Sequence, residues 1–421
     1  MAKPIKLAAA LTGVALLAAA CASSSTAGTG STGGGKTLVI STDLPMQGGD
    51  KDASESTVNA IKLYLDQINH KVGNYTIELK VYDNSTAAKG QWDDAQCSKN
   101  ALAHVANKNE VAVMGTYNSG CAKLIVPILN ADPSGPMLMV SHANTNPGLT
   151  KTWDPGEPDK YYPTGKRNYA RVVTTDDKQG AAAAQFASQK LGVKKCYIVN
   201  DNQTYGQGVA RAFSDEAAKQ NITILGNEAW DTKQPNYTAL FTKIAATNPD
   251  CLFIGGTYAS NGGQLMKDKV AILGDNKKVQ VVAPDGFVGY PDLDKQAVAE
   301  GMYLTFVGLS TDQLITAGGA GGKFLDAYKA KYGALPATSY AQYGVAALQV
   351  ILAAIEKSDG TRKSVTDQVF SGTGVCVSAD VSVLGKELCI DPKTGDTTVK
   401  DISVLQLVGG KETFLQVWPT T

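Results

Sequence analysis

Between residues 37 and 283, short apolar runs alternate with stretches in which apolar residues return every three or four positions. Thr37-Leu38-Val39-Ile40-Ser41 is a run of the first kind, and Val58, Ile61, Leu65 and Ile68 follow it at helical spacing. The theme repeats: a strand over 77–82 precedes a helix over 88–106, and strands over 111–115 and 137–141 flank a helix over 121–130. A second series opens at 196–199 and continues with a helix over 206–220, a strand over 222–225 and a helix over 237–247. It closes with a strand over 251–254, a helix over 262–273 and a strand over 279–283. Such alternation builds parallel sheets covered by helices, so the fold class is α/β with two Rossmann-like lobes. Open parallel sheets take ligands beyond the C-terminal ends of their strands, and two facing sheets put the ligand between the lobes.

Other stretches fit around this frame. Residues 153–168 hold Pro155, Pro158 and Pro163 and read as a surface excursion. Residues 169–176 are extended and suited to crossing between lobes, 340–356 form a long alanine-rich helix, and the C-terminus reads as a hairpin of 399–407 and 413–417 turning at Gly409-Gly410. The resulting division is 36–175 with 309–378 in lobe 1, and 176–308 with 379–421 in lobe 2.

The first 35 residues belong to neither lobe. Lys3 and Lys6 introduce an apolar run that ends in small residues at Ala20, which is the pattern of a secretory signal. The Leu16-Leu17-Ala18-Ala19-Ala20-Cys21 end resembles a bacterial lipobox, although Ala18 stands where leucine is usual. The expectation is a signal peptide over 1–20 and a lipidated Cys21 that anchors the chain outside a bacterial cell membrane. Residues 22–35 are almost all Ser, Thr, Gly and Ala, a composition that behaves as a flexible tether. Their Gly28-Thr29-Gly30-Ser31-Thr32-Gly33 matches a dinucleotide-binding string, but no strand precedes it and no helix follows.

Composition narrows the partners. A mature chain of about 400 residues exceeds what one core usually organises. Its 39 basic and 39 acidic residues cancel without a basic stripe, which disfavours nucleic acid. Six cysteines remain after Cys21, and exported chains meet oxidising conditions, so disulfides are expected. Cys376 and Cys389 bracket a short hairpin; Cys196 and Cys251 each open a β-rich run and are either bridged neighbours in one sheet or two buried thiols. Cys97 and Cys121 are left as the third pair. No CxxC or Cys/His cluster calls for a metal, and no cofactor is expected.

The loops after the strands carry the candidate chemistry. They contain Tyr117-Asn118-Ser119-Gly120, His142-Ala143-Asn144-Thr145, Asn202-Gln203-Thr204-Tyr205, Gly255-Gly256-Thr257-Tyr258 and Pro284-Asp285-Gly286. Backbone N–H groups at a helix start attract a carboxylate, and an acid facing them suits an ammonium group. Ser119 and Thr145 opposed by Asp285 thus form an amino-acid clamp.

Longer strings carry a family resemblance. They are Asn200-Asp201-Asn202-Gln203-Thr204-Tyr205-Gly206-Gln207-Gly208, Phe253-Ile254-Gly255-Gly256, Val172-Val173-Thr174-Thr175-Asp176-Asp177-Lys178-Gln179-Gly180 and Phe324-Leu325-Asp326-Ala327-Tyr328. In this order the chain resembles the extracellular solute-binding proteins of branched-chain amino acid ABC transporters, the leucine/isoleucine/valine-binding proteins. The resemblance implies a type I periplasmic binding (Venus flytrap) fold, a small amino-acid-like ligand, permease partners and a monomer. It also implies that Ser119 and Thr145 hold the ligand carboxylate, that the Ala143 carbonyl, Thr145 and Asp285 receive its ammonium, and that Tyr205 and Tyr258 close over it. A Cys97–Cys121 bridge has its family counterpart as well. Asp285 is shorter than the family's usual glutamate, Ala53 or Ser54 stands where leucine binders place an aromatic, and Tyr117 occupies a usually aliphatic place.

These departures leave the ligand open among branched-chain and aromatic amino acids, amides and small aromatic carboxylates, which relatives of this fold bind. Ser, Thr and Asp on loops commonly cap helices and turns, and the resemblance is what gives Ser119, Thr145 and Asp285 a ligand role. An enzyme is not expected: no GxSxG, HExxH or P-loop string occurs. A ligand sensor for a membrane receptor uses the same fold and is the alternative to transport.

Overall fold

A computed structural model describes residues 36–419; the expected signal peptide, lipidated Cys21 and tether lie outside the described residues. The sheet of the first lobe runs, edge to edge, Lys71–Val72, Tyr75–Asp83, Thr37–Leu44, Glu110–Gly115, Leu138–Ser141 and Tyr169–Arg171. All its pairings are parallel except the edge pair of Lys71–Val72 with Tyr75–Asp83. Every residue of Glu110–Gly115 and Leu138–Ser141 is buried, as strands covered by helices on both faces must be.

The second sheet runs Thr223–Ala229, Lys195–Asn200, Cys251–Gly255, Gln280–Ala283, Tyr303–Phe306, Ile402–Val408 and Lys411–Trp418. Its first five strands are parallel, and the C-terminal hairpin adds two antiparallel ones. That hairpin turns at Gly409 and Gly410, both at positive φ (60° and 76°), which glycine adopts without steric cost. Two Rossmann-like lobes therefore stand as expected.

Three crossover segments join them side by side: the Thr174 N–H donates to Val307 O (3.3 Å) and its hydroxyl to Val399 O (3.4 Å). The crossing stretch expected over 169–176 is in fact split, its first three residues forming the edge strand Tyr169–Arg171.

Local chemistry moved several boundaries. The helix expected from 88 starts at Asp94, because the Asp93 carboxylate accepts from the Ala95 and Gln96 N–H groups and caps it. The residues before it form a two-stranded hairpin of Ser85–Thr86 and Gln91–Trp92. The proline-rich excursion is not merely superficial, since Tyr161 and Tyr162 are buried in the cluster around helix Ser119–Asn130. Residues 379–400, assigned to the second lobe from the sequence, make their contacts with the first. Val381 O accepts from Gln349 on helix Tyr340–Glu356 (2.8 Å), and Asp396 pairs with Arg171 (2.8 Å).

Three disulfides join Cys97 to Cys121, Cys196 to Cys251 and Cys376 to Cys389. Cys196 and Cys251 stand opposite each other in adjacent parallel strands, which resolves the alternative in favour of a bridge. Among the described residues no helix is long and apolar enough to cross a membrane.

Candidate ligand-binding site

Loops at the C-terminal ends of both sheets meet around a small, nearly closed cavity. Tyr117, Ser119 and Ala143 reach it from the first lobe, and Tyr205, Thr257 and Asp285 from the second. Tyr340, the first residue of helix Tyr340–Glu356, completes the wall.

The first-lobe loops are locked together by buried polar groups. Ser141 Oγ donates to Thr116 O (3.0 Å) and accepts from the Ala143 and Asn144 N–H groups (3.1 and 2.8 Å). Asn144 Nδ2 donates to the carbonyls of Thr116 (2.8 Å) and Tyr117 (3.0 Å). Beneath them, fully buried Arg171 donates to the carbonyls of Asn144 (3.0 Å) and Asn146 (2.8 Å) while pairing with Asp396. Arg171 therefore fixes the curve of the 142–146 loop, a role that its sequence context does not disclose.

On this platform Ser119 is the first residue of a 12-residue helix, where free N–H groups favour an anion. Its Oγ accepts from Asn146 N (3.3 Å). Thr145 is fully buried, and its hydroxyl has no hydrogen-bond partner.

Across the cavity, buried Asp285 accepts from the Tyr205 hydroxyl (2.6 Å) and from the Tyr340 hydroxyl, while Gly286 N donates to Tyr205 (2.9 Å). Burial raises the Asp285 pKa against the opposing hydrogen bonds of the two phenols and Gln179. A second acid, Asp176, opens helix Asp176–Gln189 and is fully buried, with neither carboxylate oxygen hydrogen-bonded. Burial, then the charge of Asp285, pushes its pKa well up against the opposing charge of Arg171. Among the described residues no lysine or arginine lines the cavity. The arrangement offers an anion site on one lobe and the Asp285 carboxyl group, with no cation beside it on the wall, on the other.

Of the residues expected from the sequence, Tyr117, Ser119, Ala143, Tyr205 and Asp285 come together on the cavity wall. Thr145 lies behind it, carrying the Asp176 N–H on its carbonyl (2.9 Å). Tyr258 does not line the cavity. The Asp201 carboxylate holds the Thr257 N–H (3.1 Å), so Thr257 faces inward and Tyr258 packs with its ring centroid 4.8 Å from that of Tyr290. His142 is buried behind the wall, its ring 5.9 Å from those of Tyr117 and Tyr340, and burial lowers its pKa to about 3, leaving a neutral aromatic group.

The profile of one family, described as periplasmic binding protein, matches residues 40–410, most of the chain and every residue just placed on the cavity. The chain belongs to the periplasmic binding protein family. Within it, the chain is 28% identical to a leucine-specific-binding protein of Salmonella typhimurium over 219 residues, 51% of this chain and 54% of that protein. The chain thus spans about half the length of this curated relative. A crystal structure of a leucine binding protein from Thermotoga maritima superposes with a TM-score of 0.73 at 22% identity, covering 90% of this chain and 98% of that one. A solute binding protein of an ABC transporter from Rhodopseudomonas palustris, in complex with 3,4-dihydroxybenzoic acid, gives 0.72 at 19% identity, covering 91% and 98%. As a periplasmic binding protein the chain shares their two-lobe fold.

Tyr340 on the wall and Asp176 outside it both escaped sequence reasoning. Tyr340 was legible as the start of a helix but not as a cleft residue, because only the crossover places that helix end beside Asp285. Asp176 sat inside a quoted string, yet nothing in one dimension marks its carboxylate as unpaired.

Proposed function

We propose that this protein is an extracytoplasmic solute-binding component of an ABC importer that captures a small amino-acid-like ligand between its lobes. The observation that carries the reading is the opposition, across one cavity, of the helix start at Ser119 to buried Asp285. Ser119 and the N–H groups beside it receive the carboxylate, with the Thr145 hydroxyl behind them. The Ala143 carbonyl and Asp285 receive the ammonium, whose charge relieves the cost of a desolvated carboxylate. Tyr205 closes the second lobe over the ligand and orients Asp285.

Ligand binding selects the closed form because only there do both lobes touch the ligand. The bodies that rotate are residues 36–175 with 309–400, and 176–308 with 401–419. The leucine-binding relatives support an amino acid. The aromatic rings of Tyr117 and Tyr340 on the wall, backed by His142, together with the dihydroxybenzoate-binding relative, support a second reading in which the ligand is a small aromatic carboxylate.

The two readings separate at Asp285. Asp285→Ala removes the ammonium partner, so calorimetric titration is expected to show binding of amino acids reduced at least a hundredfold, with an unchanged circular dichroism spectrum. Undiminished amino-acid binding in this variant would refute the clamp. The same reading includes an acylated Cys21 at the mature N-terminus, which holds the binder near its permease. Intact-mass spectrometry of protein from its native membrane is expected to show a diacylglyceryl-modified Cys21, and an unmodified or different N-terminus would remove the anchor.

A further inference from the structure

Beyond the clamp, the cleft is bordered by polar groups that the protein itself leaves unsatisfied. Asp50 ends the turn Gly48–Asp50 and directly precedes helix Lys51–Gln67. That position suits a helix cap, yet its side chain bonds to no helix N–H. The residue is fully buried; Oδ1 accepts from the Tyr290 hydroxyl of the opposite lobe (2.8 Å), and Oδ2 has no hydrogen-bond partner.

Tyr117 connects this acid to the cavity. Its ring lines the wall and stands 5.4 Å from that of Tyr340, while its buried hydroxyl lies in the field of Asp50 and beside the Tyr290 hydroxyl, which is itself committed to Asp50. Ser54, one helical turn beyond Asp50, and Asn118 each add a buried oxygen without a partner. Buried polar atoms are almost always satisfied, because each orphan costs about 1–3 kcal/mol. A group of them on the first lobe, reaching the cavity wall at Tyr117 and Asn118, is satisfied if the ligand supplies donors.

We propose that the ligand carries a hydrogen-bond donor, a hydroxyl or an amine, at the end away from its carboxylate, and that Asp50 with Tyr117 reads that donor. This rests on the reading of the cleft as an amino-acid clamp and narrows it. A purely aliphatic side chain of leucine or isoleucine type would bring no donor to the already buried Asp50 Oδ2 and Tyr117 hydroxyl and leave both unsatisfied. Sites built around polar partners discriminate against ligands lacking them far more strongly than apolar pockets discriminate by size. The chain therefore departs in specificity from its leucine-binding relatives while keeping their clamp.

The test is calorimetric titration of the full chain with three matched pairs: valine and threonine, phenylalanine and tyrosine, norleucine and lysine. Each pair differs in the distal donor, and the first two separate a hydroxyl from the third pair's amine. The expected result is that, in at least one pair, the donor-bearing member binds at least about tenfold more tightly, and that Asp50→Ala brings the two members within about threefold of each other. Asp50→Asn, which keeps the side-chain shape, serves if the alanine variant does not fold, and is expected to reduce the same ratio. Tyr290→Phe controls for a purely interlobe role of Asp50: it is expected to weaken both members alike and leave the ratio standing. Equal or tighter binding of the apolar member in every pair would overturn the inference and leave the clamp intact, as would a ratio that survives substitution of Asp50. Failure of all six compounds to bind would overturn the clamp and the inference together.

Discussion

His104 shows how one residue can tie strands of the first lobe together at a pH-dependent strength. It is fully buried, with Nε2 3.0 Å from Asp43 and Nδ1 bonded to Glu110. Burial alone pushes the imidazole down, but the hydrogen bonds and charges of the two carboxylates outweigh it and raise the pKa from 6.5 to about 9. A raised folded-state value means that the charged ring is stabilised by folding. The contribution is fully present below pH 6.5 and is lost as pH rises through about 9. Its size is of the order of 3 kcal/mol. The melting temperature is expected to fall between these pH values in a calorimetric series, and His104→Gln is expected to flatten that slope; an unchanged slope in the variant would exclude His104 as its source. Asp176 shows the opposite effect, since burial without a compensating partner pushes its carboxyl pKa well up and disfavours the charged form.

At the scale of elements, the hairpin Ser85–Thr86/Gln91–Trp92 works as a strap between the lobes. The Trp92 indole N–H donates to Gln203 Oε1 (2.8 Å), and Gln203 Nε2 donates in turn to Gln91 Oε1 (3.1 Å) and Ser260 Oγ (2.9 Å). Gly120 lets the Trp92 ring lie against the helix carrying Ser119, since a Cβ there would come within 2.5 Å of the ring. One such bond contributes about 1 kcal/mol to the closed form, so Trp92→Phe is expected to raise the ligand off-rate about fivefold while association changes little. Stopped-flow measurement of dissociation checks this, and an unchanged off-rate would remove the strap from the closing mechanism. The strap was invisible in the sequence because two-residue strands leave no periodicity, and residues 88–93 read as the beginning of a helix. The main strands were legible, since runs such as Val111-Ala112-Val113-Met114 are buried on both faces and have no polar alternation to confuse them. The excursion over 153–168 misled because its prolines and charges mask the two tyrosines that anchor it.

At the scale of the whole molecule, the two-lobe architecture and most of the cavity wall followed from strand-end loops, which parallel sheets bring to one edge by geometry alone. The loop-borne residues Ser119, Ala143, Tyr205 and Asp285 were therefore within reach of sequence reasoning. Contacts that depend on how the lobes close were not: Asp50 meets Tyr290, and Tyr340 meets Asp285, across sequence separations of 240 and 55 residues. The segment 379–400 was misassigned for the same reason, because nothing local shows that it returns to the first lobe before the final hairpin joins the second. The three adjacent crossovers at Thr174, Val307 and Val399 have a consequence for biosynthesis. The first lobe lacks its buried helix until Tyr340–Glu356 has been made, and the second lacks its last two strands until Lys411–Trp418 has. Neither core is finished while most of the chain is still emerging from the ribosome. An expected consequence is that the nascent polypeptide reaches its full resistance to proteolysis only after Lys411–Trp418 has been made.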